Sequence, residues 1–368
     1  MKVLYFTRDY TPHDHRFLSA LAETEHDITA LRLERRGMQR EDRPLPANVT
    51  RVIWLGGQTP FRWQHLMDYT ADLKRVVHDV RPDVIHAGPV PSTAFLAAVA
   101  GAAPLVSMSW GSDLLLDTQK SKITRWRARY ALNRTQILVG DCEAVRQKAV
   151  ELDFPAERVV LFPWGVDLDR FTPQSLAAAK AALGWQDEFV MLSLRAWEPL
   201  YGVDLLVRAF IRAAADIPAL RLILLGGGSQ SGQIHQLINQ SGMSDRIYLG
   251  GQVTNDQLPR FYNAADLYLS ASHSDGSSVS LMEALACGRP VCVSDIPGNR
   301  EWVTPGQEGW IFADGDEAAL AAAMREAYQR RSELALMGMA ARALAEKRAN
   351  WKRNFQQLLT AYEMAAAG

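Results

Sequence analysis

Residues 274–291 of this chain read SDGSSVSLMEALACGRPV. The stretch places two carboxylates, Asp275 and Glu283, eight positions apart, with small hydroxyl residues between them. An apolar run at 279–286 follows the first serines and stops at the sequence GRP at 288–290, which predicts a helix over the run. The expected fold and function of the second half of the chain both depend on this loop and helix.

A helix N-terminus exposes backbone N–H groups without intrahelical acceptors and carries a partial positive charge, so it suits a phosphate group. An apolar run at 267–270 predicts a strand that delivers Asp275 to the carboxyl edge of a sheet, where it would accept hydrogen bonds from sugar hydroxyls. Glu283, one turn inside the helix, would accept hydrogen bonds from a ribose. These residues predict a site for a nucleotide diphospho-sugar.

Two structural interpretations of the same residues remain open. Ser280 and Glu283 have the spacing of a capping box, in which the Glu caps its own helix. The dipeptide at 275–276, Asp-Gly, is also an ordinary turn sequence.

Length and composition favour a reduced globular protein with two domains. The chain has 368 residues, 48% of them hydrophobic and 22% charged, which is enough apolar material for two cores. A net charge of −1 argues against a nucleic-acid partner, which requires a basic surface. The three cysteines, Cys142, Cys287 and Cys292, lack metal-ligand spacing, and no signal peptide is recognised, so a cytoplasmic location is expected.

Short β-rich runs alternate with helical patterns along the whole chain, which predicts parallel sheets built from βαβ units. Strands are expected at 2–7, 28–33, 49–54, 84–87, 105–109, 136–140 and 159–162, then at 189–194, 220–225, 247–249, 267–270, 291–294 and 309–312. Helices are expected at 17–23, 63–80, 92–100, 123–133, 143–152, 203–215, 230–241, 256–263, 279–286, 317–328 and 334–367.

The alternation restarts after residue 163, so the fold class is α/β with two doubly wound, Rossmann-like domains in tandem. The expected divisions are an acceptor-side domain at 1–163, a donor domain at 164–345 and a C-terminal helical segment at 346–368 that crosses back to the first domain. Two facing sheets of this kind predict a ligand site in a cleft between the domains.

The segment from Asp275 to Glu283 resembles the acidic-X7-acidic motif of family four of the retaining glycosyltransferases, which have the GT-B fold. Five further segments of the chain resemble the same family. The resemblance is strong over most of residues 160–312 and weaker in the first half of the chain. The five segments are FPWGVDLDRF at 162–171, LGGG at 225–228, DRIYLG at 245–250, FYNAAD at 261–266 and DIPGNRE at 295–301.

The resemblance implies a role for each matching residue. Glu283 would bind the donor ribose, Asp275 the donor sugar, and Arg195 the phosphate. The remaining donor-site candidates are the helix start, the glycine loop and backbone groups that face the base: Ser278, Val279, Ser280, Leu281, Gly226, Gly227, Gly228, Gln252 and Val253. A solvated loop arginine and a simple glycine turn are the structural alternatives.

The sequence also departs from the family pattern. Asp275 stands where the family usually has Glu, Tyr201 where it has Lys, and Trp110 where it often has His. The loop at 8–16 replaces a Gly-Gly loop after the first strand. One cation is therefore missing from the leaving-group site, unless Arg289, Arg300 or another side chain supplies it.

Asp113 and His13 are the candidates for orienting an acceptor, and Asp14 and Trp110 lie close to them in sequence. A single His in a loop is more often structural or solvated. The expected reaction is transfer of a hexosyl group, with retention, to a hydroxyl of a glycan, a lipid-linked molecule or a small molecule. No metal and no cofactor is expected. A UDP-GlcNAc 2-epimerase-like enzyme and a non-catalytic nucleotide-sugar binder are the alternatives.

Six basic residues and no acidic ones lie between residues 118 and 140, with Trp126 and Tyr130 among them on one helical face. They are Lys120, Lys122, Arg125, Arg127, Arg129 and Arg134. Such a helix at 120–134 fits peripheral contact with the inner face of a membrane, and a lipid-linked acceptor would agree with it. The other interpretation, a solvated helix whose aromatic stripe packs into the core, is favoured here because one such stripe usually faces a core.

Overall fold

The computed structural model of the chain describes residues 1–34, 41 and 43–368. They form two compact units, one of Met1–Phe162 with Phe355–Gly368 and one of Pro163–Asn354. The first division lies next to the expected boundary after residue 163. The chain returns to the first unit at Phe355, later than the expected position 346.

The described part of the first unit contains a parallel sheet of seven strands in the order β3-β2-β1-β4-β5-β6-β7. Its strands are β1 (Lys2–Arg8), β2 (Asp27–Leu33), β3 (Val49–Arg51), β4 (Val84–Gly88), β5 (Leu105–Met108), β6 (Ile137–Gly140) and β7 (Val159–Leu161). Its α-helices are α1 (Pro12–Ala22), α2 (Leu66–Val80), α3 (Phe95–Val99), α4 (Ser112–Leu115), α5 (Asp117–Lys120), α6 (Lys122–Leu132) and α7 (Glu143–Val150).

The second unit contains a parallel sheet of six strands in the order β10-β9-β8-β11-β12-β13. Its strands are β8 (Phe189–Ser193), β9 (Leu220–Leu225), β10 (Ile247–Gly251), β11 (Leu267–Ser270), β12 (Val291–Ser294) and β13 (Gly309–Phe312). The remaining helices of the chain are α8 (Leu176–Ala181), α9 (Val203–Ala214), α10 (Ser231–Ser241), α11 (Leu258–Ala264), α12 (Val279–Ala286), α13 (Pro297–Arg300), α14 (Glu317–Gln329), α15 (Leu334–Arg348) and α16 (Trp351–Ala367).

Both sheets are buried on two faces, as a doubly wound sheet requires. In β8, for example, Phe189 and Met191 belong to one apolar core while Val190 and Leu192 belong to the core on the other face. Strand order reverses between β1 and β4 in the first sheet and between β8 and β11 in the second. Loops at the carboxyl ends of these strand pairs diverge, and ligands of such sheets bind there.

Three expectations about elements were wrong. The first helix begins at Pro12 and not at residue 17, because Thr11 caps it. The C-terminal helix is two helices, α15 and α16, which are separated where Asn350 forms a β-bridge with Val166. The third strand ends at Arg51, because Trp54 turns back to donate its indole N–H to the Arg32 carbonyl at 2.7 Å. The short helices α4, α5, α8 and α13 were not expected from the sequence.

No helix within the described residues combines the length and the apolar character needed to span a bilayer.

Candidate functional site

The site lies at the switch point of the second sheet. Arg195 comes two residues after β8, and Asp275 lies in the loop that connects β11 to α12. Since β8 and β11 are neighbouring parallel strands, with Leu267 opposite Met191, both loops leave the sheet at the same edge. The fold therefore brings together two residues that are 80 positions apart in sequence.

Arg195 is held at the start of α12 by three side chains. Its guanidinium donates from Nη1 to the Ser278 hydroxyl at 2.9 Å and to the Ser280 hydroxyl at 3.1 Å. Its Nη2 lies 2.7 Å from Oδ2 of Asp275. Burial lowers the pKa of Arg195, the charge of Asp275 raises it, and the net shift is upward, so the guanidinium stays charged. Among the described residues, Nε of Arg195 has no hydrogen-bond acceptor.

The residue at the N-cap of α12 does not cap the helix with its side chain. Ser278 is the residue that precedes the helix, and it makes no capping hydrogen bond. The capping-box interpretation of Ser280 and Glu283 is therefore wrong, because the helix starts at Val279 and Ser280 lies inside it. The amides of Val279, Ser280 and Leu281 occupy the first turn, where no intrahelical acceptor exists. Arg195 and these amides thus lie beside one another as donors for an anion.

Glu283 is buried, with 4% of its surface exposed. The Tyr262 hydroxyl donates to its Oε2 at 2.7 Å and also lies 3.0 Å from the Ser280 carbonyl oxygen. Burial and the charge of Glu283 raise the pKa of Tyr262 well above its usual value, so the tyrosine remains a donor. Tyr268, whose hydroxyl lies 2.8 Å from that of Ser280, supports the same turn. The sequence does not distinguish either tyrosine as a site residue, because an aromatic residue in a buried strand or helix has the pattern of a core residue.

The glycine loop packs against the segment that carries Arg195. Gly226 has a φ of +105°, and a Cβ there would lie 2.9 Å from the Arg195 carbonyl oxygen. A Cβ on Gly228 would lie 2.5 Å from the Trp197 carbonyl oxygen. Gly226 and Gly228 are thus required because the backbone of residues 195–197 lies too close to them for a side chain to fit. A Cβ on Gly227 would meet nothing closer than 4.0 Å, so Gly227 is the open position of the loop.

Gln252 and Val253 come directly after Gly251 in the chain. They lie beside the glycine loop, because the Gly226 amide donates to the Gly251 carbonyl at 2.6 Å. The Trp197 amide in turn donates to the Gly227 carbonyl at 3.0 Å. The loops after β8, β9 and β10 are therefore bonded into one continuous edge. Direct contacts join Arg195, Asp275, Ser278 and Ser280, and Glu283 is linked to this group through Tyr262.

Asp113 is not exposed to a ligand in this structure. It accepts hydrogen bonds from the Ser109 hydroxyl at 2.8 Å, the Trp110 amide at 2.9 Å and the Val90 amide at 2.8 Å. Burial raises the pKa of Asp113, and the bonds from Ser109 and Val90 offset part of that rise. Its function in the fold is to fasten the loop after β5 to the turn after β4.

The expectation that His13 and Asp14 lie in a loop was also wrong. Asp14 is the third residue of α1, and it accepts from the Thr11 amide at 2.9 Å and the Tyr5 hydroxyl at 3.0 Å. His13 lies in the same turn, and its ring is 5.7 Å from that of Trp110. Trp110 thus packs on α1, and Asp14 is a buried capping residue.

Two pockets in the first unit open near the carboxyl edge of its sheet. The larger, about 820 Å³, is lined by parts of β1, β2 and β3, among them Thr7 and Arg32. The smaller, about 390 Å³, is lined by Arg8 at the end of β1 together with Trp63, Thr124 and Arg127. Within the described residues, no three or more His, Cys, Asp or Glu side chains are grouped as metal ligands.

Comparison with known proteins identifies the family. Residues 177–362, about half of the chain, match the model of the glycosyl transferases group 1. The chain belongs to the glycosyl transferases group 1 family. Residues 12–165 match a second model, the glycosyl transferase 4-like domain. The resemblance noted in the sequence is thereby confirmed.

Among its relatives, the D-inositol 3-phosphate glycosyltransferase of Geodermatophilus obscurus is 34% identical over 241 residues, covering 63% of this chain and 53% of that protein. The match thus spans about half the length of that relative. The D-inositol 3-phosphate glycosyltransferase of Mycolicibacterium gilvum is 28% identical over 379 residues, covering 92% and 83% of the two chains.

Solved structures confirm the fold class. Anabaena HepE in complex with UDP-glucose is similar with a TM-score of 0.80 at 19% identity, covering 99% of each chain. A sucrose-phosphate synthase from Thermosynechococcus elongatus is similar with a TM-score of 0.81 at 17% identity, covering 100% of each chain. The two Rossmann-like domains of the GT-B class expected from the sequence are thus present.

The lysine that this family usually has near the site is replaced by an aromatic ring. The guanidinium of Arg195 lies 4.2 Å from the centre of the Tyr201 ring. Arg289 does not substitute for the missing cation, because it is buried and donates to the Cys287 carbonyl at 2.9 Å and to Asn263 at 3.2 Å. Arg300 is paired with Asp295. Tyr201 therefore supports the existing cation instead of adding a second one.

Proposed function

We propose that this chain is a retaining glycosyltransferase that moves a hexosyl group from a nucleotide diphospho-sugar to an acceptor hydroxyl. The observation that carries the proposal is the arrangement at α12, where a charged, anchored Arg195 lies beside a helix N-terminus that Ser278 does not cap with its side chain. Family membership supports it, since the relatives are named as glycosyltransferases. Retention of configuration is inferred from the family resemblance alone.

The donor would bind along the carboxyl edge of the second sheet. The amides of Val279, Ser280 and Leu281, together with the guanidinium of Arg195, would hold the diphosphate. Glu283, oriented by Tyr262, would accept hydrogen bonds from the ribose. The base would meet backbone groups at 252–253, which the glycine loop fixes.

Asp275 has two functions in this scheme. It holds Arg195 in the structure, and its carboxylate lies at the sheet edge where the donor sugar is expected. The Gly276 amide donates to its Oδ1 at 3.0 Å, which fixes the carboxylate plane. A bound sugar would therefore either displace Arg195 from the Asp275 carboxylate or bind to that carboxylate together with Arg195.

In the reaction, the bond between the anomeric carbon and the diphosphate oxygen breaks, and the acceptor oxygen bonds to the same carbon on the same face. Negative charge grows on the departing diphosphate, and Arg195 and the amides of α12 stabilise it. The leaving phosphate oxygen takes the acceptor proton, so no separate base is needed. The scheme uses no metal or other cofactor.

The acceptor hydroxyl would come from a glycan, a lipid-linked molecule or a small molecule. The relatives named D-inositol 3-phosphate glycosyltransferase make that inositol phosphate the first small molecule to test. HepE, which was crystallised with UDP-glucose, makes UDP-sugars the first donors to test.

The test is release of nucleoside diphosphate from UDP-, GDP- and ADP-sugars, with and without acceptor. Wild-type protein should release nucleotide faster with acceptor, and Arg195→Ala should reduce turnover about 100-fold or more with a smaller effect on donor affinity. Arg330→Ala is the matched control, because this arginine is paired with Glu326 and Glu333 on the surface. A variant whose only defect is donor affinity would refute the role given to Arg195.

The same assay separates the alternatives. An epimerase would change the sugar, or release nucleotide at a rate that no acceptor increases. A non-catalytic binder would bind donor and release nothing with any acceptor. Either result would overturn the transferase proposal.

A further inference from the structure

Helix α6 presents two large apolar side chains to solvent. Ile123 is 60% exposed and Trp126 is 57% exposed, whereas Ala128, Ala131 and Leu132 are buried. At about 100° per residue, Trp126 lies roughly 140–160° around the helix from the two alanines, on the opposite face. The expectation that the aromatic stripe of α6 packs into the core is therefore wrong for Trp126, whereas Tyr130 does pack against the core of the first unit.

A second exposed tryptophan extends this apolar surface beyond α6. Trp63, 42% exposed, and Trp126 both pack on the buried ring of Phe95, at centroid distances of 6.2 and 5.6 Å. Tyr130 packs on Phe95 and Trp126 as well. Ile123, Trp126 and Trp63 thus form one exposed surface on a rigid aromatic base, called here the α6 patch.

The α6 patch has cations beside it, although Glu34 and Asp117 line the adjoining pocket. Lys122 and Arg125 are exposed on α6 itself, and Arg127 covers the Trp63 ring at 3.4 Å. Among the described residues, the ion pairs of this segment join Lys120 to Asp117 and Arg129 to Asp153. The segment therefore keeps a net positive charge in a protein whose overall charge is −1.

The 390 Å³ pocket adjoins the patch. Trp63, Thr124 and Arg127 line it on the patch side, and Arg8 lines it at the end of β1. It thus connects the α6 patch with the carboxyl edge of the first sheet, where a ligand of this unit is expected to bind.

We propose that the α6 patch docks the protein on an anionic lipid bilayer. Exposed Trp and Ile side chains next to Lys and Arg fit the interface of such a bilayer, where apolar groups enter the head-group region and cations meet lipid phosphates. The occupant is inferred from charge complementarity together with apolar exposure. The inference does not depend on the proposed transfer reaction.

The first test is flotation of the full chain with vesicles of phosphatidylcholine, alone or containing about one-third phosphatidylglycerol. The protein should float with the anionic vesicles, stay behind with the neutral ones, and be released by salt. Equal recovery with both vesicle types, or no recovery, would overturn the proposal. Self-association of the chain through this patch in place of vesicle binding would also overturn it.

Variants of the patch sharpen the test. Trp126→Ser should weaken binding about fivefold or more, and the double variant Lys122→Gln/Arg125→Gln about fivefold per cation. Leu336→Ser is the matched control, because Leu336 is 73% exposed on α15 of the other unit. The side chains of Lys122, Arg125 and Leu336 are exposed, so these variants should keep the wild-type melting temperature. Trp126→Ser also loses packing on Phe95, so its melting temperature is measured to show that it is folded. If the patch variants bind vesicles as well as the control does, the proposal fails.

Discussion

Asp275 neutralises the guanidinium that the proposed scheme assigns to the leaving diphosphate. At the scale of single residues, this ion pair explains how an arginine with little exposure keeps its charge and position before a ligand arrives. The pair has a consequence for binding, since a neutralised cation attracts a free diphosphate less than an uncompensated one.

We therefore predict that Asp275→Asn has opposite effects on nucleotide affinity and on turnover. Affinity for a free nucleoside diphosphate should rise about fivefold, because a negative charge near the phosphate is removed. Turnover of the nucleotide-sugar should fall, because the sugar contact is lost. Calorimetry with UDP and nucleotide release with UDP-glucose measure the two effects. Reduced affinity for UDP would contradict the proposed function of this pair.

Tyr201 is the second residue whose function is set by Arg195. Because the ring lies under the guanidinium, we expect it to hold the cation in place and not to contact the substrate by its hydroxyl. Tyr201→Phe should keep turnover within about twofold, whereas Tyr201→Leu should lower it about tenfold, the equivalent of about 1.4 kcal/mol. A loss in Tyr201→Phe as large as in Tyr201→Leu would show that the hydroxyl is what matters.

At the scale of elements, the N-termini of α1 and α12 differ in how their amides are satisfied. In α1, Thr11 and Asp14 cap each other, with Thr11 Oγ1 2.5 Å from Asp14 Oδ2. In α12 the side chain of the N-cap residue Ser278 makes no capping hydrogen bond. The first helix end is therefore stabilised by the protein itself, and the second is left available to an anion.

Asp14→Ala should destabilise the first unit by about 2–3 kcal/mol, since it removes a helix cap and leaves the buried Tyr5 hydroxyl without its acceptor. Unfolding in urea measures the change. Asp68→Ala, which removes an exposed carboxylate from the first turn of α2, serves as the control and should change stability little. If Asp14→Ala abolished turnover in a protein of unchanged stability, Asp14 would be an acceptor contact after all.

The sequence predicts elements well where start and stop signals are local. The bounds expected for α12 are those observed, since serines precede it and Gly288 follows it. The start of α1 carries an equally local signal, Thr11-Pro12 with Asp14, although the helix was expected to start at residue 17. The Arg195–Asp275 pair and the bonds that bury Asp113 could not be predicted, because their partners come from distant strands and loops.

At the scale of the whole molecule, the C-terminal helix is fastened to the first unit by a buried histidine. Tyr362 of α16 places its hydroxyl 2.6 Å from Nδ1 of His86 in β4. Burial lowers the pKa of His86 to about 3 from an ordinary 6.5. The folded protein thus holds His86 neutral at pH values where the unfolded chain protonates it.

This shift sets the sign of a pH effect. The stability that depends on neutral His86 is fully present above pH 6.5 and is lost as the pH falls from 6.5 towards 3, by about 1.4 kcal/mol per unit. His86→Leu should flatten this part of the dependence of the unfolding free energy on pH. His78→Gln, at an exposed histidine of α2, should leave it unchanged. An unchanged acid slope in His86→Leu would contradict this account.

The measurement that most directly tests the central claim is calorimetric titration of wild-type protein and Glu283→Ala with UDP-glucose, GDP-mannose and ADP-glucose. The wild type should bind at least one of them, and Glu283→Ala should bind that donor about tenfold or more weakly, because a charge-assisted contact to the ribose is lost. Failure of the wild type to bind any of the three, or equal affinity in the variant, would contradict the assignment of the α12 site to a nucleotide-sugar.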